Sequence, residues 1–439
     1  MKLDNRRTIL VGLAFMAVCA FWQVYDAIVP LILKNTFDMN DTLSGFIMAL
    51  DNILALFLLP LFGSLSDRTK TRIGRRMPYI LCGTAASCIC AVLLPVANGA
   101  KNLTLFMIAL GLVLVSMATF RSPAVALMPD VTVKPLRSRA NAIINLTGTV
   151  GAMVMLGGIA LLVPKGEDPD YLPLFLFLAV FMLVCVAVLF FTVREPKLHS
   201  KMLADSAALG EPEEGEQSEA FHTPMPREVR RSFILVLASI FLWFMGYNAV
   251  TTAFSKYANI YWGLEGGSFA YTLIVAQVAA IAAYIPVGFL ATKLGRRKTI
   301  LGGVAMLAVA FGACVFFKTF GGMIFFFFVL AGVGWASINV NSYPMVVEMS
   351  RGSDIGRYTG YYYTTSMAAQ VITPVLSGAV LEYGYLLLGS ADPNAGYVFL
   401  FPYGALFVAL SFVTMLFVRH GDAKPLPAQD KLEVFAGDD

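Results

Sequence analysis

Three ionisable side chains lie deep within apolar runs of this sequence: Asp26, Asp51 and Arg121. Charge in hydrocarbon is costly, so each needs a partner, a water-filled cavity or a job. At about 1.5 Å per helical residue, Asp26 lies roughly 28 Å from Arg7 and Asp51 roughly 24 Å from Asp67. On neighbouring helices the two carboxylates would therefore sit at similar depth. Acids that share a cavity titrate as a pair and can hand a single proton on, which is the chemistry of ion coupling. Each could instead do no more than bond adjacent helices, with Asp26 the helix-facing counterpart of Asn248. Arg121, about 14 Å along its run from Asp130, can dock a ligand or partner a neighbouring helix.

Neutral groups suited to a polyhydroxylated ligand surround that depth. Asn145 and Asn339 reach the level of Arg121, and Gln23, Asn52, Asn248, Gln277 and Gln370 offer further amides for hydroxyl groups. Trp22, Tyr25, Trp243, Tyr247 and Trp335 can stack on a sugar ring. Taken singly, any of these aromatics could equally be packing or an interfacial anchor.

The elements that would position such a site are membrane helices. Hydrophobic residues make up 58% of the chain and charged residues 14%, with mean hydropathy +0.73, more apolar surface than a water-soluble domain can hide. Roughly twelve runs are long enough to span a bilayer, centred near Ala20, Leu54, Ala86, Leu112, Val150, Val180, Ile240, Ala279, Met306, Phe327, Pro374 and Leu406. Helices follow, because every backbone group in lipid needs an internal partner. The first run continues past the only plausible signal-cleavage point, Val18-Cys19-Ala20, and should stay attached. All six cysteines fall in apolar spans without metal or disulfide spacing, so no metal is expected.

Lys plus Arg number 32 against 28 Asp plus Glu, a balance that gives no reason to expect nucleic acid. The distribution says more. Basic clusters at Lys2 to Arg7, Arg68 to Arg76, Lys134 to Arg139, Arg227 to Arg231, Lys293 to Lys298 and Arg351 to Arg357 alternate with acidic or uncharged loops. The positive-inside rule then places both termini and the basic loops in the cytoplasm of a multi-pass cell-membrane protein. The acidic stretch Glu211 to Glu219 has no apolar face to bury, so residues 194–231 read as a flexible cytoplasmic linker. It separates a six-helix unit at 1–193 from another at 232–420, with a polar tail at 421–439.

The two units repeat one another. After the second span stands Gly63-Ser64-Leu65-Ser66-Asp67-Arg68, then Gly74-Arg75-Arg76; after the eighth stands Gly288-Phe289-Leu290-Ala291-Thr292-Lys293, then Gly295-Arg296-Arg297. In the same order Tyr25-Asp26 aligns with Tyr247-Asn248, Asn52 with Gln277, Arg121 with Asn339, Asp130 with Glu348 and Arg139 with Arg357. Gly63, Asp67, Arg68, Arg75, Arg76, Asp130, Arg137, Arg139, Glu348 and Arg357 form a candidate gate. Asp67, Asp130, Arg75, Arg137 and Arg139 in particular can make a network that closes the cytoplasmic mouth in one state and breaks in the other.

These loops resemble the G-x-L-x-D-R-x-G-R-R signature of the major facilitator superfamily, and the resemblance covers essentially the whole chain. The first copy carries the extra residues Thr69-Lys70-Thr71-Arg72-Ile73 and continues Met77-Pro78-Tyr79-Ile80. That longer form is similar to glycoside-pentoside-hexuronide cation symporters and sucrose-proton symporters, as is Pro129-Asp130-Val131-Thr132 followed by Arg137-Ser138-Arg139. Melibiose-type permeases place paired acids where this chain has Leu59 and Ala55. Plant-type sucrose symporters place an arginine where it has Val125, and Arg121 lies one turn deeper.

The resemblance implies an all-α membrane protein of twelve transmembrane helices in two six-helix bundles, the major facilitator fold. It implies proton-coupled symport of a small-molecule substrate, a sugar or glycoside, with sodium the lesser candidate for the ion. The expected unit is a monomer in the lipid bilayer, with no cofactor. Export of an amphipathic compound and a nontransporting sensor on the same fold stay open as alternatives. No catalytic constellation or phosphate loop suggests an enzyme. The glycines from Gly148 to Gly158 suit close helix packing better than an antiporter motif, whose proline they lack.

Overall fold

The computed structural model describes residues 3–133, 136–166, 169–208, 227–349 and 355–421, and no strand occurs among them. The first six spans are α1 (Asn5–Asn35), α2 (Asp41–Arg68), α3 (Met77–Gly99), α4 (Leu103–Asp130), α5 (Arg137–Leu162) and α6 (Leu172–Thr192). After a shorter α7 (Glu195–Ala208) come α8 (Arg227–Ile260), α9 (Ala270–Leu294), α10 (Arg296–Cys314), α11 (Met323–Glu348), α12 (Ile355–Leu387) and α13 (Leu400–Leu416). A 3-10 turn at Pro393–Phe399 leads into α13. Twelve of these helices are long and apolar enough to cross a bilayer.

Polar caps set several boundaries. Asp4, Asn40 and Asn102 each accept a backbone N–H from the first turn of α1, α2 and α4, at 3.1, 2.9 and 3.0 Å, pairing donors that a helix start leaves free. Gly295, at φ +89°, makes the sharp join between α9 and α10 that a side chain would resist.

The repeat seen in the sequence is a repeat of packing. In the first half α1 packs on α5 and α6, α3 on α4 and α6, and α2 on α4; in the second α8 packs on α12 and α13, α10 on α11 and α13, and α9 on α11. Small residues permit the tightest crossings: a Cβ at Gly148 would press on Phe15 and Cys19, and one at Gly151 on the backbone of Met16. The glycines of α5 thus bring it against α1, as their spacing suggests.

The bundles meet along α2 with α12, α5 with α9, and α1 with α8. Contact is uneven along these seams. The half of α2 nearest Asp41 buries Ser44, Gly45, Ile47, Met48 and Ala49, whereas beyond Ala55 only Ser66 is buried. On α5, Asn141, Ala142, Asn145 and Leu146 are exposed, while Met155, Leu156 and Ile159 are buried. The bundles therefore close at the end bearing Asp41 and separate toward the end bearing the basic motif loops.

The segment expected to be a flexible linker begins as a helix. Fourteen residues form α7, and Glu195 at its start is buried beneath the first bundle. Arg227 already belongs to α8, and the acidic stretch Glu211 to Glu219 lies outside the described residues.

Candidate functional site

The first bundle gathers the charges at the level of the expected site. Successive turns of α1 carry Trp22 and Gln23, then Tyr25 and Asp26; α2 carries Asp51 and Asn52, and α4 carries Arg121. Asp26 is half-buried and lies within the electrostatic reach of both Asp51 and Arg121. The Arg121 guanidinium stands 5.6 Å from the centre of the Trp22 ring, a cation–π approach. Among the described residues neither Asp26 nor Arg121 has a side-chain hydrogen bond or an ion pair. Asp51 differs: its Oδ1 accepts the backbone N–H of Asn52 at 2.6 Å and the Asn52 side-chain amide at 2.7 Å. Asn52 thus spends its donor on Asp51. Tyr25 is buried against Phe21, its hydroxyl without a partner, as is the indole N–H of Trp22.

The second bundle answers with neutral groups. Tyr247 on α8 stacks face to face on Trp335 of α11, centroids 3.6 Å apart and planes 3° from parallel, with Phe244 edge-on to the same indole. Asn248, aligned with Asp26, has a buried Nδ2 without a partner. Gln277 and Gln370 are half-buried, and Gln370 donates to the Ser366 carbonyl at 3.3 Å. Asn339 and Asn145 are exposed, the latter donating to the Asn141 carbonyl at 2.8 Å.

Trp243 departs from expectation. It is 0% exposed and enclosed in the apolar core, so it presents no face to a ligand in this conformation. It lies one turn before Tyr247 on α8.

At the motif end Arg76 is the hub of a compact network. Its Nε donates to Asp130 at 2.7 Å, its Nη2 pairs with Asp67, and its Nη1 donates to Ser66 and to the Gly63 carbonyl. Arg75 forks onto Asp130 at 2.7 and 3.1 Å. Glu195 completes the knot by accepting the backbone N–H groups of Arg75, Arg76 and Met77 at 2.8 to 2.9 Å. A carboxylate at the start of α3 meets both free donors and the favourable end of the helix dipole.

The structure redraws the expected gate. Arg75 and Arg76 are the arginines that bond the acids Asp67 and Asp130. Arg137 donates to the carbonyls of Thr132 and Pro129 at the end of α4, and Arg139 is exposed and bonds none of these acids among the described residues. The network ties the first bundle to α7, with no second-bundle partner among the described residues. Arg68 is exposed. In the second bundle Glu348 pairs with Arg296, and the side chain of Arg357 lies outside the described residues.

The closed end holds a cluster that sequence reasoning missed. Asp41 on α2 accepts Lys256 of α8 at 2.6 Å, Tyr397 of the 3-10 turn at 2.8 Å and Lys34 of α1 at 3.4 Å. Glu382 of α12 accepts the Thr42 N–H at 2.9 Å, and Asn35 donates to Asn259 at 3.4 Å. One signal was available: Lys256 is an isolated cation within an apolar run.

The architecture is shared with solved transporters. A proton-dependent oligopeptide transporter aligns at TM-score 0.70 with 14% identity, covering 94% of this chain and 98% of that one. A D-xylose-proton symporter aligns at TM-score 0.68 with 13% identity, covering 96% and 99%. A curated relative, the MFS-type transporter ppzB of Metarhizium rileyi (strain RCEF 4871), is 30% identical over 106 residues, which span 24% of this chain and 22% of that protein. The sequence profile of the Major Facilitator Superfamily matches residues 11–283 and 261–436, and with it this twelve-helix chain belongs to that family of multi-pass membrane transporters.

Proposed function

We propose that this transporter carries a sugar or glycoside together with protons, by rocking its two bundles about a site near Asp26 and Arg121. The observation that carries this reading is the pair of unsatisfied charges on one bundle, Asp26 and Arg121, with unpaired Trp22, Tyr25 and Asn248 donors on α1 and α8. A hydroxyl both donates and accepts, so one sugar can give hydrogens to a carboxylate and take them from a guanidinium or amide. Because the fold serves an oligopeptide transporter and a xylose symporter alike, the substrate assignment rests on these side chains and on the longer Gly63 to Arg76 loop.

Asp26 and Asp51 have separate places in this scheme. Asp51 is held by Asn52, while Asp26 is the carboxylate free to exchange a proton with substrate or solvent. With the basic loops taken as cytoplasmic, the separated motif end opens inward and the Asp41 end closes the outside. The substrate would then leave between α2, α5, α9 and α12 into the cytoplasm.

The test is uptake of a labelled glycoside panel into sealed vesicles under imposed proton or sodium gradients. Proton-driven accumulation of at least one glycoside is expected. Absence of gradient-driven sugar uptake, together with proton-driven efflux of apolar dyes, would overturn the proposal in favour of export.

A further inference from the structure

Asp41 is the most heavily engaged carboxylate on the closed seam, and its partners come from both bundles. We propose that Asp41, Lys256 and Tyr397 form a cross-bundle lock that holds the closed end shut, and that its release turns the transporter to face the other side. Asp41 and Lys256 are 3% and 4% exposed, and their 2.6 Å contact joins α2 to α8. Tyr397 donates to the same Asp41 oxygen as Lys256, at 2.8 Å, so two donors of the second bundle converge on one acceptor of the first. Among the described residues the first bundle contributes Lys34, at 3.4 Å.

The backbone around the lock fits tightly. A Cβ on Gly45 would overlap the Pro374 carbonyl, and a Cβ on Gly378 would overlap the Asp41 carbonyl. These two glycines let α2 and α12 meet backbone to backbone beside the ion pair. Glu382 of α12 reaches across to accept the Thr42 N–H, so the start of α2 is capped by the opposite bundle. The second seam closes the same end without charge: Gly267 fits against the Ile159 carbonyl and Gly266 against that of Pro164. Apolar and glycine contacts alone would let the bundles slide. A buried ion pair adds little net stability but is costly to leave half-made, so it specifies which surfaces meet. When the seam parts, both charges regain water, and the closed and open arrangements stay close in energy. That balance is what a reversible gate requires. The lock is independent of which solute is carried.

The test reads the two ends of the full-length protein separately, in membranes, starting from a version without its six native cysteines. Ser377→Cys reports the closed end, since Ser377 is buried on α12 beside the lock. Ala142→Cys reports the motif end, where Ala142 is exposed on α5. Asp41→Asn and Lys256→Gln should each raise labelling at position 377 by at least about fivefold and lower it at position 142, a shift in population from one closed end to the other. Tyr397→Phe should act in the same direction more weakly, and Lys256→Arg should stay near the parent. The Asp41→Asn/Lys256→Gln double variant should exceed neither single by the sum of their effects, as expected for partners in one contact. Unchanged labelling at position 377, or a rise at both positions together, would overturn the lock. The second outcome would mark general loosening, and the milder tyrosine variant keeps the test decisive if either charge variant folds poorly.

Discussion

The two bundles have one plan of packing and two kinds of chemistry. The main helix pairings of the first half recur in the second, yet Asp26 faces its repeat as Asn248 and Arg121 as Asn339. The motif ends diverge as well. Arg76 binds two acids while Glu195 caps the same turn, whereas Arg296 pairs with Glu348 and Arg297 donates to the Leu416 carbonyl at 2.6 Å. The duplication preserved what depends on shape, the small residues and apolar faces that let helices cross, and left polar positions free to change. Concentrating the charge at the level of Asp26 and Arg121 in one bundle limits its desolvation cost to one rigid body. On the proposed reading, the second bundle can vary its amides and aromatics at that level without disturbing ion handling.

The most severe way to break this asymmetry is to neutralise the unpaired acid. Asp26→Asn makes the first bundle resemble the second at that level, and gradient-driven accumulation should be lost, with the internal substrate concentration rising no higher than the external one. Exchange of substrate across the membrane should persist, because an amide still hydrogen-bonds hydroxyl groups. Asp51→Asn should also lower accumulation, but by less, since Asp51 is already held by Asn52. Wild-type accumulation by Asp26→Asn would sink its assignment as the proton carrier, and a larger loss from Asp51→Asn would exchange their roles.

Next in size is the difference between the motif networks. Arg76 is buried and bonded to Asp67, Asp130, Ser66 and the Gly63 carbonyl, so Arg76→Ala removes all of these contacts at once, leaves Asp130 to Arg75 alone and should cost about 2 kcal/mol of stability. The pair of Arg296 with Glu348 is partly exposed, and Arg296→Ala should cost about 1 kcal/mol or less. Thermal unfolding of the detergent-solubilised variants compares them directly. Equal losses would mean that the two networks do equivalent structural work.

Substrate affinity gives a third comparison. Arg121→Ala removes a charged donor and should raise KM by about tenfold, while Asn339→Ala, at the aligned position, should raise it by about threefold. The measurement is KM for the accepted glycoside under a fixed proton gradient. The reverse order would place substrate recognition mainly in the second bundle.

What could be read in the sequence follows from the range of each interaction. The twelve spans and their pairing into halves were legible, because hydropathy is local and the repeat preserves it. Helical rise alone suggested that Asp26 and Asp51 sit at similar depth, and the structure brings them within electrostatic reach of one another. Arg76 could not be told from Arg75, Arg137 or Arg139, since all are arginines in basic loops and only the fold decides which is buried against acids. Glu195 was hidden by its neighbours: the segment after Arg194 is polar enough to read as linker, and nothing local reveals that its carboxylate caps α3. The Asp41 and Lys256 contact spans 215 positions, and Asp41 read as one more charge in an acidic loop. Trp243 misled for a related reason, because a tryptophan one turn from Tyr247 looks like part of one aromatic wall until the helix is seen to turn it inward.

That last distinction supplies the finest comparison, between two tryptophans of the same bundle. Trp335 is stacked on Tyr247 and half-buried, so Trp335→Phe keeps an apolar ring but shortens the platform beside the site. KM should rise about twofold to threefold with stability nearly unchanged, the scale of one altered aromatic contact. Trp243→Phe removes ring volume from a site that is 0% exposed, so its cost should appear as about 1 to 2 kcal/mol of stability with KM unaffected. The Trp243 indole N–H has no partner, so phenylalanine loses packing but no hydrogen bond. A rise in KM for Trp243→Phe, at unchanged stability, would mean that α8 rotates this ring toward the substrate in another state of the cycle and would return Trp243 to the site.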